Sequence, residues 1–306
     1  MVADVSGLIL VDKAAGWTSH DVVSRTRKIA GTRKVGHAGT LDPMATGLLV
    51  IGFNKATRLL TYIVDTTKTY RATMRFGHNT STDDADGDIV QTRFANAVTQ
   101  KDIHRAVEAQ TGTIQQVPSS VSAIKIDGKR AYQRVRDGED VEIPAREVTI
   151  HRFDIESIER APDGKTIDVE VEIECSAGTY IRALARDIGE ELNTGGYLTA
   201  LRRTAVGPYH IDDAVTIELL SEHFVYTDIS QAAAKLFPVR TINPSEAKDL
   251  VHGRRISALN STALYAAQLD TGQVIALITD AERAGKIEAK PEIVFATLED
   301  LSGAPL

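Results

Sequence analysis

The apolar positions of this chain change period several times, and each change marks an element. Residues 7–11 and 47–53 are short apolar runs bounded by glycine or charge, the pattern of buried strands. Residues 69–76 alternate: Tyr70, Ala72, Met74 and Phe76 share one face and Thr69, Arg71, Thr73 and Arg75 the other, which predicts a half-buried antiparallel strand. The alternation returns over 166–175, and 148–158 pairs with it as a hairpin across Ala161-Pro162-Asp163-Gly164. A further strand, 197–206, carries Arg202 and Arg203. Helical spacing predicts helices over 18–30, capped by Thr18 with Asp21 in the first turn, over 55–64, and over 99–112 with Ile103 and Val107 inward. Another opens at Ser176-Ala177-Gly178-Thr179, turns Ile181, Leu184, Ile188 and Leu192 inward, and stops at Gly195-Gly196. Short helices follow over 216–238. The tail gives a helix over 244–251 and short strands over 263–269, 274–279 and 292–296. Locally paired strands with helices packed on them predict an α+β fold with a mainly antiparallel sheet.

A length of 306 residues suits one large domain, 1–238, with a small β-rich appendage, 239–306. No apolar run reaches the length of a membrane span, and Asp4 and Asp12 flank the N-terminal run, unlike a signal peptide. The single cysteine, Cys175, excludes an internal disulfide and a thiolate metal cluster, fits a reducing cytoplasm, and falls on an apolar strand face as a small hydrophobe. A net charge of −7 argues against nucleic acid as a partner. The distribution argues the other way, with cations gathered at Arg25, Arg27, Lys28, Arg33 and Lys34 and again at Lys125, Lys129, Arg130, Arg134 and Arg136.

Candidate chemistry centres on Gly36-His37-Ala38-Gly39-Thr40-Leu41-Asp42-Pro43-Met44-Ala45-Thr46-Gly47. Its glycines permit positive φ and close approach of a flat ligand, and Pro43 keeps Asp42 out of a helix. Gly31 and Gly36 have Walker-like spacing, but His37 and Ala38 stand where that motif needs lysine and a hydroxyl, which excludes a nucleotide loop. Thr82-Asp83-Asp84-Ala85-Asp86-Gly87-Asp88 is an acidic turn rather than a calcium loop, because Arg93 occupies the terminal ligand position. Arg182 falls in the first turn of its helix, where the dipole disfavours a cation, so a buried carboxylate partner is expected.

The stretch GHAGTLDPMATGLL resembles the signature of the TruB family of pseudouridine synthases. LILVDKAAGWTSHDVV, KTYRA, TDDADG, VPSSVSAIKIDGKRAY and CSAGTYIRALARDIG are similar to further motifs of that family, in the same order and over most of the first two hundred residues. Ala14 departs from the pattern, standing where the first motif carries proline. The resemblance implies a pseudouridine synthase fold with an RNA-gripping insertion at 115–144 and a PUA-type RNA-binding domain in the tail. It implies isomerisation of the T-loop uridine of tRNA (conventionally position 55), with the T arm and loop as partner, no membrane partner, a monomer, and neither cofactor nor metal. Asp42, Tyr70 and Arg182 are the implied catalytic residues: carboxylate, stacking tyrosine, and the guanidinium that keeps Asp42 ionised. Substrate contacts are expected from His37, Gly39, Asp84 and Leu201, with phosphates met by Arg33, Lys34, Lys125 and Lys129. The competing expectations are a catalytically silent tRNA chaperone and a synthase acting on another RNA uridine.

Overall fold

The structure, a computed structural model, describes residues 5–119 and 143–302, with the backbone of two short strands between them. The first half supplies strands β1 (Gly7–Lys13), β2 (Val35–Ala38), β3 (Thr46–Phe53), β4 (Lys68–Phe76), β5 (His78–Thr80), β6 (Ile89–Thr92) and β7 (Gly112–Gln116). After the short strands β8 (Lys125–Ile126) and β9 (Lys129–Arg130) come β10 (Arg146–Arg160), β11 (Ile167–Cys175), β12 (Gly196–Val206), β13 (Tyr209–His210) and β14 (Thr227–Asp228). The tail holds β15 (Val239–Thr241), β16 (Ile256–Ser257), β17 (Tyr265–Gln268), β18 (Val274–Arg283) and β19 (Lys286–Val294). The helices are α1 (Ser19–Ala30), α2 (Leu60–Val64), α3 (Gln100–Ala109), α4 (Ile181–Glu191), α5 (Ile217–Glu222), α6 (Ile229–Leu236), α7 (Pro244–Val251) and α8 (Leu298–Ser302).

A ten-stranded sheet runs β14-β1-β3-β12-β4-β11-β10-β7, with β2 added on β3 and β13 on β12. Its described strand pairs are antiparallel except β3 with β12, which meet in parallel at Thr46 opposite Arg202 and Gly47 opposite Arg203. Here the two antiparallel halves join, and Gly47 permits it. Its φ is +99°, and an added Cβ would lie 2.3 Å from the Arg203 carbonyl oxygen. The alternation of 69–76 and 166–175 is realised as β4 and β11, which pair residue for residue from Lys68 opposite Cys175 to Phe76 opposite Ile167. Their apolar faces pack with Leu184 and Ile188 of α4 and Ile103 and Val107 of α3. Helix α1 begins with a reciprocal Thr18–Asp21 capping box, ends at a left-handed Gly31, and buries Val22 and Val23.

Four sequence expectations need correction. Val35–Ala38, where the pattern predicts no element, is a strand that pairs with β3 and puts His37 opposite Ile51. The helix expected over 55–64 is a tight 3₁₀ turn, Asn54–Leu59, followed by α2; the Thr57 hydroxyl donates to the Asn54 carbonyl and tightens that turn. Helix α3 stops at Ala109, and Gly112, with φ +91°, starts β7 instead. The last tail strand starts at Lys286 rather than 292, because Ala284 and Gly285 both adopt positive φ and close a two-residue hairpin.

The tail sheet runs β15-β17-β18-β19-β16. One core cluster spans both sheets, joining Leu8, Leu10, Leu48 and Val50 to Ala266, Val274, Leu277 and Phe295 through Ala232 and Ala233 of α6. Among the described residues no helix is long and apolar enough to cross a membrane.

Candidate active site

The segment Gly39 to Ala45 crosses between β2 and β3 and is held from three sides. From β1, the ammonium of Lys13, 1% exposed, donates to the carbonyls of Trp17 at 2.7 Å, Ala14 at 3.0 Å and Pro43 at 3.3 Å. From α1, the Ser19 hydroxyl accepts from Leu41 N at 2.8 Å and donates to Leu41 O at 3.1 Å. From β12, the Arg203 guanidinium donates to Gly39 O at 3.0 Å and Thr40 O at 3.5 Å, and its Nε donates to Leu48 O at 2.8 Å. Burial lowers the pKa of Lys13 to about 8, against the attraction of the nearby Asp42 carboxylate.

Asp42 presents its carboxylate to Arg182 of α4, whose Nε is 3.0 Å from Asp42 Oδ2. The guanidinium is 4% exposed, while the Asp42 side chain keeps 37% of its surface open. The Nη1 of Arg182 also donates to Thr82 O at 2.7 Å and lies 3.4 Å from Asp84 Oδ2. Asp84 is buried and fixed in turn by the Thr82 hydroxyl and by Asp86 N at 3.2 Å. The acidic turn therefore serves as the second carboxylate partner of the arginine, which explains a cation in the first turn of a helix. Burial raises the Asp42 carboxyl above the ordinary aspartate range, and Asp84 adds to the rise; Arg182 opposes both without cancelling them.

Tyr70, on β4, faces the same space from the opposite wall and is 9% exposed. Burial pushes its phenol up, and the positive charge of Arg203, its cross-strand neighbour on β12, pulls the other way. Asp42, Tyr70, Arg182, Gly39 and Leu201 all line one cleft of about 310 Å³, within the size range of small-molecule pockets. Lys68, Tyr180 and Arg203 line it as well.

Other expected contacts lie elsewhere. His37 is half-buried on β2 and outside the cleft lining, with a pKa lowered chiefly by burial. Arg33 and Lys34 are exposed just before β2. Lys125 and Lys129 sit on the paired strands β8 and β9, and their side chains lie outside the described residues.

A cleft with one carboxylate, two buried guanidinium groups and a buried phenol is a setting for charge development at a flat, neutral ligand. Residues 27–181 match the family profile described as TruB family pseudouridylate synthase (N terminal domain). The chain belongs to the TruB family of pseudouridine synthases. Residues 182–247 match the tRNA pseudouridylate synthase B C-terminal domain, and 237–296 match tRNA pseudouridine synthase II, C terminal. A tRNA pseudouridine synthase B of Arthrobacter sp. (strain FB24) is 56% identical, covering 98% of this chain and 99% of that protein. One of the same description from Thermobifida fusca (strain YX) is 50% identical, over 95% and 98%. Among solved structures, one chain of a Cbf5-Nop10-Gar1 complex superposes with a TM-score of 0.72 at 25% identity, over 96% of this chain and 86% of that one.

The TruB motifs led to Asp42, Tyr70 and Arg182, and the fold brings these together. Sequence reasoning missed four groups. Lys13 lies within the first TruB motif, but its charge gives no sign of burial in the sequence. Lys68 shares the buried face of β4 with Tyr70; the alternation, extended one step back, would have found it. It donates to the Thr66 carbonyl at 2.5 Å and to Val64 O, and burial lowers its pKa to about 8. Tyr180 caps α4 two residues before Arg182, its backbone bound to the Gln116 side chain at 2.8 and 3.1 Å. The Arg146 guanidinium stacks over its ring at 4.7 Å from the centroid. Arg203 gave no signal, since an arginine on a strand reads as an outward residue.

Proposed function

We propose that this chain isomerises the T-loop uridine of tRNA (position 55) to pseudouridine, with Asp42 as the essential carboxylate. The observation that carries the reading is the Asp42–Arg182 pair at 3.0 Å, on the wall of a cleft that also holds Tyr70.

The reaction breaks the bond from C1′ to N1, turns the uracil in place, and joins C5 to C1′. A proton leaves C5 and one is gained at N1, so atoms and electrons balance without oxidant or water. As the base departs the sugar becomes electron-poor, and an anion held beside it stabilises that charge, as glycosidase carboxylates do. The low exposure of Arg182 strengthens its hold on Asp42 and fixes the direction of the carboxylate. The uridine must leave its RNA stack at a cost of a few kcal/mol, which stacking in a fitted pocket offsets. Tyr70 supplies one such face, and its hydroxyl stands ready for the proton at C5. His37, on the strand leading into the site, occupies the gap in the RNA loop. Arg33, Lys34, Lys125 and Lys129 meet the phosphates of the T arm. The insertion 115–144 grips the RNA beside the catalytic domain 1–238, and the tail 239–306 adds a PUA-type contact.

The test is tritium release from C5-labelled uridine in a tRNA transcript, with and without an altered T loop. Release is expected from the wild type on the intact T loop and not from Asp42→Asn, which keeps its tRNA affinity. Turnover by Asp42→Asn would overturn the assignment of the carboxylate; equal turnover on the altered loop would overturn the substrate.

A further inference from the structure

Arg146, the first residue of β10, has no part in the catalytic pair, yet it lines the same cleft. Its guanidinium lies over the Tyr180 ring at 4.7 Å from the centroid, and Nη2 donates to the Gly178 carbonyl. Among the described residues it makes no ion pair, the buried Nε has no acceptor, and no hydrogen bond engages Nη1. The other cations of the lining are occupied. Lys68 serves the Val64 and Thr66 carbonyls, Arg203 those of Gly39, Thr40 and Leu48, and Arg182 the Asp42 and Asp84 carboxylates. A guanidinium stacked flat on a ring keeps the edge of its fork free for a carboxylate or a phosphate. The setting is rigid. Arg146 pairs with Gln116 of β7, and the fully buried Gln116 side chain clamps the Tyr180 backbone at 2.8 and 3.1 Å. Gly178 is exposed and Arg146 only half-buried, so this end of the cleft opens to solvent.

We propose that Arg146, laid on the ring of Tyr180, is an anion seat at the cleft mouth that takes a phosphodiester flanking the flipped uridine. The inference rests on the function proposed above: a nucleotide that enters the cleft brings its own backbone phosphates with it. Asp42 carries the same sign as those phosphates and repels them. A guanidinium at the rim offsets that repulsion and holds the backbone off the catalytic anion. Hydrogen bonds from arginine to phosphate are short and directional, so the seat also sets how deep the sugar enters. Tyr180 caps α4 and Arg182 falls in its first turn, so one helix start carries both the seat and the partner of Asp42.

The experiment uses synthetic T-arm hairpins in which the phosphate on the 5′ or the 3′ side of the target uridine is a neutral methylphosphonate. Wild type, Arg146→Gln and Arg146→Lys are compared by hairpin binding at several salt concentrations, single-turnover tritium release and thermal unfolding. Arg146→Gln should weaken binding about tenfold and flatten the salt slope by about one unit. Arg146→Lys keeps the charge but not the fork, so it should keep the slope and lose about threefold in affinity. Neutralising one of the two phosphates should cost the wild type about tenfold and Arg146→Gln less than about twofold, because there the contact is already gone. An arginine that only props Tyr180 would instead lower the unfolding temperature, slow release equally on every hairpin and leave the salt slope unchanged. That result, or equal costs of both neutral phosphates in wild type and Arg146→Gln, would overturn the proposal. Absence of release from the wild type on the unmodified hairpin would count against the isomerisation itself, while the binding comparison still decides the seat.

Discussion

Replacing Arg182 by glutamine should move the acid limb of the pH–rate profile upward, and the structure sets the size. On the proposed function the active form of Asp42 is the carboxylate, so activity should be lost as pH falls through its pKa. Burial already holds that pKa above the ordinary aspartate range, and Arg182 is the strongest influence in the opposite direction. Unit charges 3.0 Å apart attract by roughly 5 kcal/mol at an effective dielectric of about 20. The Asp42 side chain is 37% exposed. Solvent screening then cuts the figure to the range of a charge-assisted hydrogen bond, about 1.5–3 kcal/mol. Removing the guanidinium should therefore raise the limb by about one to two pH units. Arg182→Lys keeps a charge in place and should move it by less than half as much. The assay is single-turnover tritium release from a tRNA transcript between about pH 5 and pH 9. Circular dichroism at each pH controls for the buried Asp84, which also loses a partner. An acid limb that stays put in Arg182→Gln would refute the claim that this pair governs the ionisation of Asp42.

Other substitutions probe separate parts of the argument. Tyr70→Phe should bind tRNA within about threefold of wild type and turn over at least about tenfold more slowly, measured by filter binding and single-turnover kinetics; an unchanged rate would leave Tyr70 only a stacking surface. Gly47→Ala would press a Cβ to 2.3 Å from the Arg203 carbonyl at a φ of +99°. Strain of about 2–3 kcal/mol should lower the unfolding temperature by at least roughly 4 °C and slow turnover as the loop shifts. Affinity for tRNA should fall steeply with salt, and Arg33→Ala or Lys34→Ala should each flatten the slope by about one unit, as read by titration at several salt concentrations.

Much of this arrangement was legible in the sequence because local rules govern it. The alternation of 69–76 became β4, and the Thr18–Asp21 box set the start of α1. The misplaced cation of Arg182 foretold its carboxylate partners, and the structure supplies two, Asp42 and Asp84. What stayed hidden depends on contacts between residues far apart in the chain. Val35–Ala38 has too few apolar positions to declare a strand, and becomes one because β3 offers an open edge. Lys13, Lys68 and Arg203 carry charge at positions where the pattern alone predicts exposure, yet all three are buried against backbone carbonyls. Charged residues of this kind look like surface until the fold shows which oxygens they serve.

The apolar cluster common to the two sheets has a consequence for how the tail operates. Val274 and Leu277 rest on the same aliphatic layer as Leu48 and Val50, which lead directly out of the Asp42 loop. The Arg58 guanidinium donates to Val294 O at 2.9 Å and ties β19 to the same block. Cutting the chain after 238 would lay bare the underside of the strands that carry the catalytic segment, so the truncated protein should lose heat resistance and turnover together. On the proposed function, an RNA held at both ends would be gauged against a fixed span, because the tail shares one core with the strands leaving the Asp42 loop rather than hanging on a tether.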